Sequence, residues 1–258
     1  MGFECVQFKM STLGLPVLPE TLPHGKAGEI GATFWAFGLN LAAVSGTFNT
    51  AHPDKDERES GIAGMRTLCE AANDMGTNII TICTGTRDPE NMWRSHQENE
   101  TPEAWQVMKK TMREIIRIAE ANSVHLAFEI EVTNIVNSVD KAVRLLDEID
   151  SDNLNIVMDP ANLLFKDDVP RQLEIFENAL SRLGSKIVLT HAKDIGEFDE
   201  NTGELERVPA GKGRLDYPGF FQLLEKTGYQ GPVIIHSLPE EHMPASRDFI
   251  ESTLAQIR

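Results

Sequence analysis

Basic residues are scarce in this chain of 258: lysine and arginine number 24 against 40 aspartates and glutamates, a net charge of −16 at pH 7. Binding a polyphosphate backbone depends on Lys and Arg displacing counterions, so the shortage argues against nucleic acid as a partner. It leaves a small phosphorylated ligand open, because one local cation or a metal dominates the potential inside a cleft. Cysteine is rare too. Cys5, Cys69 and Cys83 are odd in number, show neither CxxC nor metal-type spacing, and each falls in an apolar segment, so they read as reduced core residues. Nowhere do eighteen apolar residues run together, and no basic stretch followed by an apolar run opens the chain. No membrane span or export signal is expected, and the cytoplasm is the expected location. Low-complexity segments and linkers are absent, as are a GxGxxG turn after the first strand and the GxxxxGK[ST] phosphate loop.

What remains is an ordinary globular balance, 41% hydrophobic and 25% charged. α/β barrels of about 250 residues form one domain, so residues 1–258 are expected to be a single domain. Short β-branched runs alternate with longer amphipathic stretches: ECVQF near residue 4, LNLAAVSG from Leu39, NIITICTG from Asn78, HLAFEI from His125, LNIVMD from Leu154, KIVLTHA from Lys186 and PVIIHS from Pro232. Near-continuous apolar runs are the mark of parallel strands covered on both faces. Between them, Thr101 caps a helix with Pro102 at its first position, and Trp105, Met108, Met112, Ile115 and Ala119 share a face. Ile62, Met65, Leu68, Ala72 and Met75 form a second stripe that stops at Gly76, and a third helix spans Tyr217 to Lys226. The expected fold is α/β, a (β/α)8 TIM barrel; seven strands are visible, so its first βα unit is read as lacking. The stretch from Asp194 to Asp216, with glycines at 196, 203, 211 and 213, reads as a long irregular and functional loop.

Catalytic groups in such barrels sit at the C-terminal ends of strands. The polar residues closing four consecutive runs are Glu129, Asp159, His191 and His236. Alone, each has a structural reading, a carboxylate capping the next helix or a histidine satisfied in the core. Together, two carboxylates and two imidazoles suit a divalent ion such as Mn²⁺, Zn²⁺, Co²⁺ or Fe²⁺, with Mg²⁺ less favoured and Ca²⁺ disfavoured. Other residues fall where a substrate pocket is expected. Glu131 shares the side of Glu129 if the strand continues and is a reserve base. Lys193 can hold a substrate oxygen or form an outward ion pair. Asn49 and His52 follow the second strand, although His52 precedes Pro53 and can simply begin a helix. Arg87 is an anion anchor beside Trp93, whose ring can cover a sugar's apolar face; loop packing is the alternative for both.

The ordered Glu129, Asp159 and His191, the segment VLTHAKD, the later VPAGKGRLDYPGFFQLLEKTGYQGPV and the strand VIIHS resemble the xylose isomerase-like barrel family, which includes sugar isomerases and epimerases. The resemblance covers most of the chain. It implies that Glu129 is both metal ligand and base, and that Asp159 and His191 are ligands. Relatives that isomerise or epimerise ketoses typically carry a second glutamate where this chain has His236, which becomes either a fourth ligand or the second proton carrier. Asn162, in DPAN, stands where several relatives have histidine, and Arg207 matches a substrate-binding basic position of some members. The implied activity is isomerisation or epimerisation of a sugar or sugar phosphate through an enediolate, with proton abstraction next to a carbonyl. The rivals are a dehydratase or lyase acting on a polyol or keto-inositol, and a sugar-binding barrel without turnover. The DNA-repair branch of the family disagrees with the charge and the seven histidines. The partner is a small sugar-like molecule, neither nucleic acid nor membrane, and a homo-oligomer is left open.

Overall fold

The structure, a computed structural model, describes residues 2–200, 204–236 and 238–257. All seven apolar runs are strands: β1 (Cys5–Phe8), β2 (Asn40–Ser45), β3 (Ile79–Ile82), β4 (His125–Glu129), β5 (Leu154–Met158), β6 (Ile187–Ala192) and, near the end of the chain, β9 (Val233–Ile235). They form one seven-stranded sheet in the order β1-β2-β3-β4-β5-β6-β9. The described pairings are parallel, for example Ile79 with His125 and Thr190 with Val233. All five residues of β5 are buried, as both faces of a covered parallel sheet require.

The helices are α1 (Lys26–Ala36), α2 (Lys55–Met75), α3 (Pro102–Ala121), α4 (Val139–Ile149), α5 (Gln172–Leu183), α6 (Tyr217–Lys226) and α7 (Met243–Ile257). Their ends follow the local chemistry. The Asp54 side chain accepts from Asp56 N at the start of α2, and Gly76 ends it in the left-handed region at φ 92°. The Thr101 hydroxyl accepts from Ala104 N, with Pro102 in the first turn of α3.

The described residues fall into two compact units, Glu4–Ile156 and the residues from Val157 onward together with Gly2 and Phe3. The first buries Met65, Leu68, Met108, Met112, Ile115 and Phe128. The second is built on aromatics: Phe176 meets Phe220 edge-on at 5.3 Å, and Tyr217 lies 5.4 Å from Phe221. Among the described residues no helix is long and apolar enough to cross a membrane.

One expectation is corrected. The stretch from Asp194 is not irregular throughout: β7 (Asp194–Asp199) and β8 (Glu204–Val208) form a separate antiparallel ribbon, while Gly203 lies outside the described residues. Ile195 and Leu205 are buried while the Glu197 side chain is 85% exposed, a period-two pattern too short and too acidic to stand out as strand.

The cysteines are free thiols, Cys69 and Cys83 buried and Cys5 half-buried. Burial pushes the Cys69 and Cys83 thiols up to about 12. In a thiol-titration assay at pH 8 the native protein should therefore expose at most Cys5, with the other two appearing only on unfolding. Rapid labelling of all three thiols in the folded state would contradict this packing.

Candidate metal centre

Glu129 is the last residue of β4, Asp159 follows the last residue of β5, and His191 lies one residue from the end of β6. One carboxylate oxygen from each acid and one ring nitrogen of the histidine lie within 4.8 Å of one another. Ligand bonds of about 2.0–2.2 Å place the donors of a single tetrahedral ion roughly 3.3–3.6 Å apart, so a trio within this limit can close on one ion. Asp159 and His191 are buried and Glu129 half-buried. Two hard oxygens and one imidazole nitrogen fit a divalent cation, and a three-residue ligand set is the pattern of sites that keep a position for substrate. His236 takes a different place: its ring lies flat on that of His191, with centroids 4.3 Å apart and planes 2° from parallel.

Asp159 serves the fold and the site together. It caps the short 3-10 turn Pro160–Leu163 by accepting from Ala161 N at 3.0 Å, and its Oδ2 lies 3.0 Å from Lys193 Nζ. Lys193 is thus an inward partner of a candidate ligand, the outward ion pair being excluded by its 6% exposure. Tyr217, fully buried, donates from its hydroxyl to Lys193 O at 2.8 Å. Burial and the carboxylates of Asp159 and Asp194 hold its phenol well above the usual range, so it stays a donor.

Asp194 carries a role that its position after Lys193 barely signals. Its Oδ1 accepts from Ile195 N (2.9 Å) and Leu215 N (3.0 Å), and its Oδ2 from Gly211 N (3.1 Å) and Gly213 N (3.0 Å). The buried carboxylate gathers both ends of the ribbon excursion. Gly213 is required there, because a Cβ would run into Asp194 Oδ1 and Ile195 O. Farther along, Arg207 on β8 donates to Asn162 Oδ1 at 3.4 Å and to Leu205 O at 3.2 Å. Asn162 is buried within the turn that Asp159 caps.

The remaining expected residues lie in the loops after β2, β3 and β4 of the other unit, and most are occupied in holding those loops. Asn49 Oδ1 accepts from Ala51 N and Thr86 N, at 3.2 and 3.0 Å. His52 Nδ1 accepts from Asp54 N at 3.1 Å, so its Nε2 is the donor to Pro89 O at 3.1 Å, and it does not begin α2. Arg87 donates to Ala51 O at 2.9 Å and pairs with Glu98 at 3.5 Å. Trp93 is 52% exposed on the same loop. Because β4 stops at Glu129, the period-two argument does not reach Glu131, which opens a turn in which Asn134 N donates to its carbonyl. Residues not foreseen brace this region: Asn134 Oδ1 accepts from Gly85 N at 2.8 Å, and Asn99 Oδ1 from Thr86 Oγ1 and Arg87 N.

A parallel sheet alternating with helices, with two carboxylates and an imidazole gathered at strand ends, defines an α/β barrel of the metal-site class. The chain belongs to the xylose isomerase-like TIM barrel family, which it matches over residues 1–253. It is similar to L-ribulose-5-phosphate 3-epimerase UlaE of Escherichia coli, 24% identical over 216 residues that cover 81% of this chain and 69% of that one. Among solved structures it resembles the IOLI protein with a bound zinc atom, with a TM-score of 0.73, 18% identity, and coverage of 99% of this chain and 88% of that one. A xylose isomerase-like TIM barrel protein from Mycobacterium smegmatis in complex with magnesium has a TM-score of 0.68, 18% identity, and coverage of 92% and 79%. In this chain it is the donor set that fits a divalent metal.

Proposed function

We propose that this protein is a metal-dependent epimerase or isomerase of a sugar or sugar phosphate, transferring a proton at a carbon next to a carbonyl. The convergence of Glu129, Asp159 and His191 carries the reading, because it pairs a candidate base with a cation site. The similarity to a ribulose-phosphate 3-epimerase adds to it. A bound divalent ion would hold adjacent substrate oxygens and stabilise the negative charge of the enediolate. Mn²⁺, Zn²⁺ or Co²⁺ suits the mixed donors better than Mg²⁺.

Glu129 takes the carbon-bound proton. His236, stacked beside His191, is the second proton carrier in this reading: in its protonated form it gives its own proton to the opposite face, giving epimerisation, and solvent then exchanges the proton left on Glu129 and resupplies His236. Return to the neighbouring carbon gives aldose–ketose exchange. Lys193, Arg207 and Asn162 offer donors to substrate oxygens. Trp93 offers a ring to the sugar's apolar face, and Asn49, His52, Arg87 and Glu131 shape the surrounding loops. The protein acts as one functional domain in the cytoplasm, on a small molecule and without nucleic acid.

The test is incubation with Mn²⁺ in D₂O with a panel of ketopentoses and ketohexoses, free and phosphorylated, followed by NMR. The expected result is deuterium at the carbon next to the carbonyl, together with an epimer or aldose. Loss of water with a new carbonyl compound would instead make the protein a dehydratase. Saturable binding without deuterium uptake would make it a sugar-binding barrel.

A further inference from the structure

The Asp159–Lys193 pair raises a question that the ligand set alone does not. A cation that takes Asp159 as ligand meets a carboxylate that already holds an ammonium at 3.0 Å, with the lysine side chain 7% and the aspartate side chain 0% exposed. In water such a neighbour would be screened, but at this depth Coulomb interactions between charges a few ångströms apart are several-fold stronger. We propose that Lys193 is a built-in opponent of the metal: it satisfies Asp159 before an ion binds, keeps metal affinity low, and leaves excess positive charge once the ion is seated. The inference rests on the metal-centre reading above and says how that centre is tuned.

Two physical effects act in the same direction. Without an ion, Lys193 stabilises the buried carboxylate of Asp159 by setting an opposite charge 3.0 Å from its Oδ2. With an ion, the ammonium and the dication repel each other. Removing the lysine charge therefore raises the free energy of the metal-free protein and lowers that of the loaded one. Counting Glu129, Asp159 and Lys193, the charge goes from −1 before binding to +1 with a dication. An anionic substrate oxygen balances that remaining charge, so the lysine that weakens the ion's hold strengthens the hold on an enediolate. Tyr217 fixes the lysine's own backbone carbonyl, so the side chain springs from an anchored point.

The experiment is Mn²⁺ titration of the full chain by calorimetry, for the parent, Lys193→Gln and Lys193→Arg, with melting curves with and without the ion. Lys193→Gln should bind Mn²⁺ about tenfold or more tightly than the parent. It should melt lower than the parent without metal and gain more from saturating metal. Lys193→Arg, which keeps the charge, should stay within about threefold of the parent. Lys193→Gln that folds only when Mn²⁺ is present meets the expectation in its strongest form. Equal or weaker binding by Lys193→Gln, or failure to fold even with Mn²⁺, overturns the proposal and makes Lys193 a support of the site. Absence of ion binding in both parent and Lys193→Gln is a different result: it removes the metal centre itself.

Discussion

Glu129→Gln should lower the rate of carbon-proton exchange by about a thousandfold or more at saturating metal, with the fold intact. Glutamine keeps the size of the side chain and one oxygen but cannot accept the substrate proton, and general-base contributions run from about 10² to 10⁴. Because Glu129 belongs to the donor trio, loss of its charge should weaken the ion as well, so the comparison needs metal in excess. Glu129→Asp separates the roles: the charge remains but the carboxylate is drawn back toward the end of β4, so the ion should bind more nearly as in the parent while exchange stays slow. The measurement is single-turnover deuterium uptake by NMR on whichever ketose the panel identifies. Exchange within tenfold of the parent in Glu129→Gln would remove Glu129 from the role of base and turn attention to His236.

The second large effect is on stability. Asp194→Ala takes the acceptor from four backbone N–H groups at a buried position. A buried donor left unsatisfied costs about 1–3 kcal/mol, and partial relaxation should bring the total to about 3–5 kcal/mol. For a chain of this size that is a fall in Tm on the order of 10 °C. Asp194→Asn should fall between parent and alanine: its carbonyl still serves one pair of N–H groups, but its amide sets a donor against the other. Gly213→Ala should reproduce much of the loss without changing any charge, because the new methyl meets the same carboxylate. Thermal melts of the three variants decide the matter. A drop of less than about 1 kcal/mol in Asp194→Ala would mean that the ribbon holds its position without the carboxylate.

The sequence announces the strands because parallel strands packed on both faces must be apolar along their whole length. LNIVM and KIVLTHA therefore read as strand without any partner in view. The trio is legible for a related reason: Glu129, Asp159 and His191 are the first ionisable groups after such runs, and strand ends in a barrel converge. Partnerships between distant residues are not legible. Nothing in the spacing of Lys193 and Asp159 shows that the ammonium points inward, and nothing in KD shows an aspartate gathering N–H groups from as far away as Leu215. His52 and Arg87 look like site residues because they follow strands, yet their polar atoms hold the loops. The β7–β8 ribbon escapes notice because only a few of its positions are apolar.

The central claim is a metal centre made of Glu129, Asp159 and His191. The most direct test is the metal content of the purified protein and of an Asp159→Asn, His191→Ala double variant, after exchange into metal-free buffer and refilling with Mn²⁺, Zn²⁺ or Co²⁺. One ion per parent chain and none in the double variant is the expected result. Equal ion content in the two proteins, or none in either, would contradict it.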